Sequence, residues 1–221
     1  MQPQTTLFYD VDTQRDFILP GGRLCIAGTE RIIPSLRALT ELGRRRGIRM
    51  VATTDRHFAG DPELERNGGK YPDHCMDGTD GQLKIDATAP LHPLFVENRE
   101  LSDGQRSAAI NWRGELIFEK QLFDAFAGNR NTAAILGAIL KDYTDVVVYG
   151  VYTEVCVADA IRGLQQFGKL LHLVTDATAD IGDEGPSFRE RWRNEGVDLT
   201  KVAEVTARLE TDYSKNQSRE Q

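Results

Sequence analysis

The residues best suited to chemistry lie between positions 150 and 160, where a strand runs directly into a helix with Cys156 at the junction. The run Asp145–Val151 is short, rich in β-branched residues and contains a glycine, which predicts a strand buried on both faces of a parallel sheet. Apolar residues at 157, 161 and 164 then recur at helical spacing, with Thr153 as the expected N-cap. Cys156 would lie in the first helical turn, where free N–H groups and the dipole lower a thiol pKa. The pattern predicts a nucleophile; the alternative is a small apolar residue packing a strand–helix corner.

A cysteine nucleophile needs a base for its proton and a cation to hold the thiolate. Asp12 follows the first predicted strand and Lys120 the third, so both are candidates for those roles. The carboxylate could later return the proton to a leaving amine, which indicates acyl transfer to the thiol followed by hydrolysis. Backbone N–H groups in the turn at 151–153 and at Cys156 could stabilise the oxyanion. The alternative is that Asp12 caps a turn and Lys120 forms an ordinary ion pair.

A second polar cluster could hold a metal ion. It combines Asp55 and His57, at the end of the second predicted strand, with His74 and with three acids at positions 61, 63 and 65. Imidazole and carboxylate ligands suit Zn, Fe or Mn and can leave positions open for water or a substrate nitrogen. The alternative is a hydrophilic loop with unbound histidines. His92, His172 and Cys75 are not expected to bind a metal.

The elements that must position these residues alternate between strands and helices. Strands are predicted at 5–11, 48–54, 116–118, 145–151, 170–174 and 201–205, and helices at 33–42, 131–140, 153–164 and 182–195. Residues 56–114 show little periodicity and are expected to form a long functional loop region inserted in the domain. The alternation predicts an α/β fold, a three-layer sandwich with a mostly parallel central sheet flanked by helices. Ligands on such folds bind beyond the carboxyl ends of the strands, where Asp12, Asp55, Lys120 and Cys156 all fall.

Composition restricts the partners. The 221 residues, 40% of them hydrophobic, predict a single domain spanning 1–221. A net charge of −7 argues against nucleic acid or an anionic membrane and favours a small molecule. There is no apolar run long enough for a membrane span and no signal-peptide pattern, so a soluble, cytoplasmic protein is expected. The three cysteines predict reduced thiols rather than a disulfide framework, and the polar tail 213–221 is expected to fray.

Four motifs together resemble the isochorismatase-like cysteine hydrolases, in particular their nicotinamidase/pyrazinamidase branch. Residues 12–17 (Asp-Thr-Gln-Arg-Asp-Phe) precede a Pro-Gly-Gly turn, and residues 55–57 form Asp-Arg-His. Residues 71–75 (Tyr-Pro-Asp-His-Cys) are followed by Gly-Thr at 78–79, and residues 150–157 read Gly-Val-Tyr-Thr-Glu-Val-Cys-Val. The agreement runs from about residue 5 to 180 in the family's order.

The resemblance implies a role for each of these residues. Asp12, Lys120 and Cys156 would form the catalytic triad, and a cis peptide before Tyr152 would direct the Tyr152 and Cys156 amides at the oxyanion. Asp55, His57 and His74 would bind a metal, while Phe17 and Tyr71 would sandwich an aromatic ring whose nitrogen meets that metal.

Two departures modify this expectation. Tyr71 stands where the family usually has Trp, and no further histidine follows His57 as it does in some members. Glu63 is therefore the first choice for a fourth ligand, with Glu65 and Asp61 behind it. Two carboxylates and two imidazoles make Mn or Fe more favourable relative to Zn.

The sequence thus predicts a metal-assisted cysteine amidohydrolase that converts nicotinamide, or a close heteroaromatic amide, to its acid and ammonia. One alternative is a cysteine hydrolase for another small amide, such as a carbamoyl or ureido compound, and another is a non-catalytic small-molecule binder. Cleavage of a vinyl ether, the isochorismatase reaction, is disfavoured by the metal-type loop. Residues 91–112 are expected to form a flap or a contact in a homo-oligomer, with Trp112 as its anchor.

Overall fold

The computed structural model describes the backbone of residues 1–217 and the side chains of residues 1–210. In this part of the chain seven strands form one sheet with the order β3-β4-β2-β1-β5-β6-β7, and every pairing is parallel. The strands are β1 (Thr6–Val11), β2 (Arg49–Asp55), β3 (Leu94–Val96), β4 (Leu116–Lys120), β5 (Asp145–Val151), β6 (Leu170–Ala179) and β7 (Asp198–Thr200). The predicted α/β class is confirmed, with a fully parallel sheet in place of a mostly parallel one.

Helices cover both faces of this sheet. They are α1 (Arg15–Ile18), α2 (Ile33–Arg46), α3 (Asp103–Asn111), α4 (Ala125–Gly128), α5 (Thr132–Ile139), α6 (Ala158–Gln165), α7 (Gly185–Asn194) and α8 (Val202–Gln217). One apolar core contains residues of α3, α5, α6 and α7, and the other contains residues of α2 and α8. The predicted three layers are therefore present.

The sequence of strand β5 is almost continuously apolar because both faces of the strand are covered. All seven of its residues are buried. Val146 and Val148 contribute to the core that holds α5 and α6, whereas Val147 and Tyr149 contribute to the core that holds α2 and α8. Successive side chains of a strand point to opposite faces, so a strand covered on both sides needs apolar residues at both alternations.

The carboxyl ends of the strands form a crevice where the strand order reverses. β1 pairs with β2 on one side and with β5 on the other, and ligands on such sheets bind outside this switch point. Strands β1 and β5 approach closely there because Gly150 of β5, at φ 126°, has no side chain. A Cβ at this position would collide with the Val11 carbonyl oxygen of β1. Asp12 directly follows β1, and Cys156 follows β5.

The last predicted strand, 201–205, is wrong. β7 comes earlier and ends at Thr200, and α8 begins at Val202. Glu204 stabilises this start, because its Oε2 accepts hydrogen bonds from the Thr200 hydroxyl (2.8 Å) and the Lys201 amide (3.1 Å). Val205 and Leu209, four residues apart on one helical face, are fully buried. α8 continues to Gln217 where a frayed tail was expected from 213, and residues 218–221 lie outside the described residues.

Residues 56–114 contain more regular structure than their sequence indicates. β3 has only three residues and lies at the sheet edge, which leaves no alternation to detect. Helix α3 begins with a capping box between Ser102 and Gln105, but it buries only Ala109 and therefore lacks an apolar period. Residues 91–112 are thus an edge strand and a helix rather than a flap, and the Trp112 indole donates a hydrogen bond to the His92 carbonyl (3.0 Å).

Cys25, Cys75 and Cys156 are free thiols, as predicted. Across the described residues, the helices are all too short or too polar to cross a lipid bilayer.

Candidate active site

The structure brings the three residues predicted to form a triad together at the switch point. The Lys120 Nζ lies 3.0 Å from the Asp12 Oδ2 and 3.7 Å from the Cys156 Sγ. All three side chains are buried. An ammonium, a carboxylate and a thiol in contact away from water interact far more strongly than they would at the surface.

Asp12 is held by the strand next to its own. Its backbone has φ 50°, an uncommon conformation for a residue other than glycine, which turns the chain out of β1. The Thr53 hydroxyl of β2 donates to Asp12 Oδ1 (2.7 Å), and the Asp12 amide donates to the Thr53 carbonyl (3.2 Å). The second carboxylate oxygen is left to face Lys120.

Cys156 lies in a turn that differs from the predicted helix start. Residues Thr153–Val157 form a π-helical turn that precedes α6, and the Val151–Tyr152 peptide bond before it is cis, as the resemblance implied. Thr153 is not an N-cap; its hydroxyl donates instead to the Ala179 carbonyl of β6 (3.1 Å). This bond ties the turn to the neighbouring strand.

The predicted lowering of the thiol pKa is not what the structure shows. Burial raises the pKa of Cys156 well above its ordinary value, the Lys120 ammonium opposes this, and the Asp12 and Asp55 carboxylates raise it further. A first-turn position cannot compensate for complete burial beside two carboxylates. At rest the thiol keeps its proton, and a base is required to remove it.

Asp12 could serve as that base. Burial raises the pKa of the Asp12 carboxyl group above its usual value even though Lys120 lowers it, and a carboxylate with a raised pKa accepts a proton more readily. Lys120 stays charged: burial lowers its pKa, but the Asp12 and Asp55 carboxylates together raise it well above normal. The site therefore holds a permanent cation beside the sulfur.

A second group, Asp55, His57 and His74, lies next to the triad and could hold a metal ion. Each residue offers a ligand atom, and these atoms lie within 4.8 Å of one another. The His74 Nδ1 contacts the Pro72 carbonyl oxygen (2.8 Å) and the His57 Nδ1 contacts the Asp61 carboxylate (3.0 Å). Both partners can only accept, so each Nδ1 carries the hydrogen, and in the neutral ring each Nε2 has a lone pair for a metal.

Among the three acids that the sequence offered as a fourth ligand, Glu63 is the one whose carboxylate faces the His57 Nε2. Its Oε2 lies 3.6 Å from the His57 Nε2, while its Oε1 accepts a hydrogen bond from the Phe123 amide. Asp61 is turned toward the other nitrogen of His57, and Glu65 is exposed. Burial and the Asp55 charge raise the pKa of Glu63 to about 7.

The donor set fits a divalent cation. Asp55 Oδ2, His57 Nε2 and Glu63 Oε2 are buried and have no hydrogen-bond partner among the described residues. Buried polar atoms are nearly always paired, so three converging orphan atoms indicate a group that would satisfy them.

Lys120 joins the two clusters, a link that the sequence analysis missed. Its ammonium also contacts Asp55 Oδ1, so the two oxygens of Asp55 face the triad and the metal-type group respectively. The burial penalty on Asp55 is outweighed by Lys120 and the two histidines, which hold its pKa well below the usual value. The sequence carried one signal for this contact, because Asp55 and Lys120 each come at the end of a strand. The structure pairs these two residues in register.

Gln14 was also missed as a site residue. Its buried side chain accepts from the Asp55 amide and donates to the Asp55 carbonyl, both at 2.7 Å, and it also donates to the Gln82 carbonyl. It thereby fixes the end of β2 relative to the end of β1. Its position within the 12–17 motif was the available signal.

An apolar cavity opens onto Cys156, Asp55 and His74. Phe17 and Tyr71, the predicted ring-binding residues, both line it, and the rest of its wall is Leu24, Phe123, Val151, Tyr152, Val155 and Ile181. Tyr152 was predicted only through its backbone amide, and the other wall residues were not predicted, because they are ordinary apolar positions in sequence. The space in the cavity is about 20 Å³, enough for roughly one or two water molecules, so a bound ring requires side chains to move.

Comparisons with known proteins agree with this architecture. A family model described as an isochorismatase domain matches residues 7–204. A protein of Escherichia coli (strain K12) named nicotinamidase is 24% identical over an alignment of 211 residues, and the match covers 86% of this chain and 91% of the relative.

Solved structures are similar over nearly the whole chain. A pyrazinamidase of Pyrococcus horikoshii in complex with zinc has a TM-score of 0.69 and 25% identity, with 89% of this chain and 99% of that one covered. An N-carbamoylsarcosine amidase of Thermoplasma acidophilum has a TM-score of 0.68 and 24% identity, with 90% and 96% covered, and shows the same fold. Since the family model spans most of the sequence, the chain belongs to the isochorismatase-like hydrolase family.

Proposed function

We propose that the protein is a metal-assisted cysteine amidohydrolase whose substrate is nicotinamide or a close, uncharged heteroaromatic amide. The observation that carries the proposal is the position of Lys120, whose ammonium contacts the Cys156 thiol, the Asp12 carboxylate and the Asp55 carboxylate at once. One cation thus links the nucleophile, its base and the metal-type group. The likeness to a protein named nicotinamidase supports the choice of substrate.

In the proposed first half of the reaction, Asp12 takes the thiol proton and the sulfur attacks the amide carbon. The Tyr152 and Cys156 amides would receive the developing oxyanion. When the tetrahedral adduct collapses, the C–N bond breaks and Asp12 returns the proton to the nitrogen, which leaves as ammonia. The product on the enzyme is a thioester at Cys156.

In the second half, Asp12 takes a proton from a water molecule that attacks the thioester carbon. The C–S bond breaks, the acid leaves, and the proton returns to sulfur to restore the thiol. Lys120 keeps its charge throughout, because its pKa is held well above normal by Asp12 and Asp55. Its role is to stabilise the negative charge, whether that charge is on Asp12 or on the Cys156 sulfur.

Asp55, His57, His74 and Glu63 would hold a divalent metal ion, Zn or else Mn or Fe. A bound cation of this kind supplies Lewis-acid attraction for a lone pair such as that of a ring nitrogen. Phe17 and Tyr71 would then pack against the two faces of the ring.

The cavity favours an uncharged ring over a carbamoyl amino acid. Its wall is apolar and aromatic, and none of its described residues is a lysine or arginine. N-carbamoylsarcosine carries a carboxylate, and no group of this wall would pair with it. The Lys120 ammonium behind Cys156 already contacts the Asp12 and Asp55 carboxylates. Burying an unpaired charge costs several kcal/mol (about 3 or more).

Ammonia release from nicotinamide, benzamide and N-carbamoylsarcosine tests the proposal. We expect nicotinamide to be the best substrate and benzamide, which lacks the ring nitrogen, to be at least about tenfold poorer in kcat/KM. Cys156→Ala should abolish turnover, whereas Cys25→Ala should leave it intact. A fully active Cys156→Ala would refute the triad, faster cleavage of N-carbamoylsarcosine would assign a ureido substrate, and binding without turnover of any amide would indicate a non-catalytic binder.

A further inference from the structure

A second cleft lies at the opposite end of the sheet from the candidate active site. It has a volume of about 300 Å³ and is formed at the amino ends of strands, where Arg49 begins β2 and Glu115 precedes β4. A cleft of this size is at the lower limit of small-molecule sites in proteins. Its wall is completed by Arg44, Arg113, His92, Tyr143, Ile48, Met50, Leu91 and three glycines.

The charge of this cleft is opposite to that of the whole chain, which is −7. Arg44 is neutralised by Glu115, whose Oε1 accepts hydrogen bonds from its Nε (2.9 Å) and Nη2 (2.8 Å). Arg49 and Arg113 have no carboxylate within ion-pair distance among the described residues. The cleft therefore presents two uncompensated guanidinium groups.

Arg49 is unusual because part of its guanidinium is buried without a partner. Its Nε is buried and makes no hydrogen bond, and its Nη2 makes only a long contact of 3.4 Å with the Ala109 carbonyl. Burial lowers the pKa of Arg49; Tyr143 opposes this shift, and the nearby Arg113 charge adds to it. The Arg49 Nη1 also has no hydrogen-bond partner among the described residues. Leaving a charged group half-buried and unsatisfied is unfavourable, so an anion in the cleft that accepts from this guanidinium would be stabilising.

Tyr143 contributes a third polar group to the same place. Burial raises its pKa and the Asp142 carboxylate does so too, but the Arg49 and Arg113 guanidinium groups act to lower it, which places its hydroxyl within their field. Next to these polar groups, the buried Ile48 and Met50 and the exposed Leu91 provide an apolar wall. The cleft is polar at one part and apolar at another.

We propose that this cleft binds a small organic phosphate monoester, with the dianionic phosphate on Arg49 and Arg113 and the organic group on Ile48, Met50 and Leu91. Two unpaired guanidinium groups match the two charges of a phosphate monoester, and their planar donor arrangement suits its oxygens. The Tyr143 hydroxyl can donate to a third oxygen. The proposal is independent of the amidase reaction, since the cleft contains none of its residues.

Calorimetric titration of the full chain with phenyl phosphate tests this site. Benzoate, a monoanion with the same ring, and inorganic phosphate, a dianion without it, serve as comparison ligands. We expect phenyl phosphate to bind tightest, and Arg49→Gln and Arg113→Gln each to weaken it by about tenfold or more, as for a lost charge-assisted hydrogen bond. Arg130→Gln, an exposed arginine outside the cleft, should not change the affinity.

Thermal denaturation separates loss of the site from loss of the fold. Because the Arg49 Nε is already unsatisfied, Arg49→Gln should melt at the same temperature as the parent or higher, and Arg113 is exposed. Phenyl phosphate should raise the melting temperature of the parent and of Arg130→Gln, but not of the Arg49→Gln/Arg113→Gln double variant. Equal affinity for parent and double variant, or no binding of phenyl phosphate to the parent, would overturn the proposal.

Discussion

Among the properties of single residues, the protonation of the Cys156 thiol affects the proposed chemistry most. Burial and two carboxylates raise the pKa of the thiol, so the resting site is neutral at sulfur and depends on Asp12 to activate it. The same Asp12 charge that makes a good base also makes the thiolate less stable. Removing that charge should slow hydrolysis and make alkylation of the Cys156 thiol faster.

We predict that Asp12→Asn slows nicotinamide hydrolysis by roughly 10²–10⁴, the usual contribution of a general base. In the same variant the Cys156 pKa should fall, because a carboxylate that raises it is gone. Alkylation of Cys156 by iodoacetamide at neutral pH should therefore become faster than in the parent.

Thr53→Ser, which retains the hydroxyl bonded to Asp12, is the matched control and should change both rates little. Slower alkylation together with slower hydrolysis in Asp12→Asn would mean that the carboxylate activates the thiol by another route.

For single residues, the sequence predicted which side chains meet but not the pKa of each. Asp12, Lys120, Cys156 and Asp55 could be grouped because all follow ends of parallel strands. The pKa of Cys156 depends on complete burial by residues distant in sequence, which no local pattern contains. Glu63 was already preferred over Glu65 from the sequence, but its position beside His57 depends on how an irregular loop folds back.

Among the elements, the junction between β1 and β2 depends on one side chain. Gln14 satisfies both the amide and the carbonyl of Asp55, and it also satisfies the Gln82 carbonyl, all in a buried place. These are contacts that water cannot replace without opening the loop.

We predict that Gln14→Leu lowers the free energy of unfolding by roughly 2–4 kcal/mol, since it leaves buried backbone groups without partners. Chemical denaturation in urea measures this change. Gln166→Leu, which removes an exposed glutamine bonded to the Gly163 carbonyl, should cost under about 0.5 kcal/mol. A similar small effect in both variants would show that the Asp55 backbone finds other partners.

The elements that the sequence missed share a physical cause. β3 and α3 bury few side chains, so neither has an apolar period. The final segment was assigned to a strand because valines stand at 202 and 205; their helical spacing becomes evident only with Leu209, and the start of α8 depends on Glu204 bonding back to Thr200. The strongly periodic strand β5 was predicted at its observed bounds, and α2 was predicted at its observed start but continues four residues beyond its predicted end.

For the whole molecule, a metal ion would couple the site to global stability. Asp55, His57 and Glu63 each have a buried atom without a partner, so a cation that binds only the folded chain should stabilise it.

We predict that Zn²⁺ or Mn²⁺ at about 100 times its Kd raises the melting temperature by roughly 5–10 °C, equivalent to about 2.7 kcal/mol. A chelator should reverse this. Glu63→Gln should weaken metal affinity by about tenfold or more and reduce the shift accordingly.

Glu65→Gln, which changes an exposed acid on the same loop, should behave as the parent. Equal shifts in both variants would remove Glu63 from the ligand set.

The overall architecture was the most predictable part. Alternating strands and helices predicted a parallel sheet between two helical layers, which the structure confirms. The strand order was not predicted, because it depends on which faces pack together and not on any local pattern. The homo-oligomer stays a prediction.

The topology has a consequence for how activity is acquired during synthesis. Asp12, Lys120 and Cys156 come from β1, β4 and the turn after β5, and the intervening strand β2 separates two of them in the sheet. On the proposed mechanism, a nascent chain that ends before Cys156 has the base and the cation but no nucleophile, and a fragment that begins after Asp12 has the cation and the nucleophile but no base. Catalytic competence would therefore arise only when the late-made portion docks onto the early one, so a chain cut between them is inert in either piece.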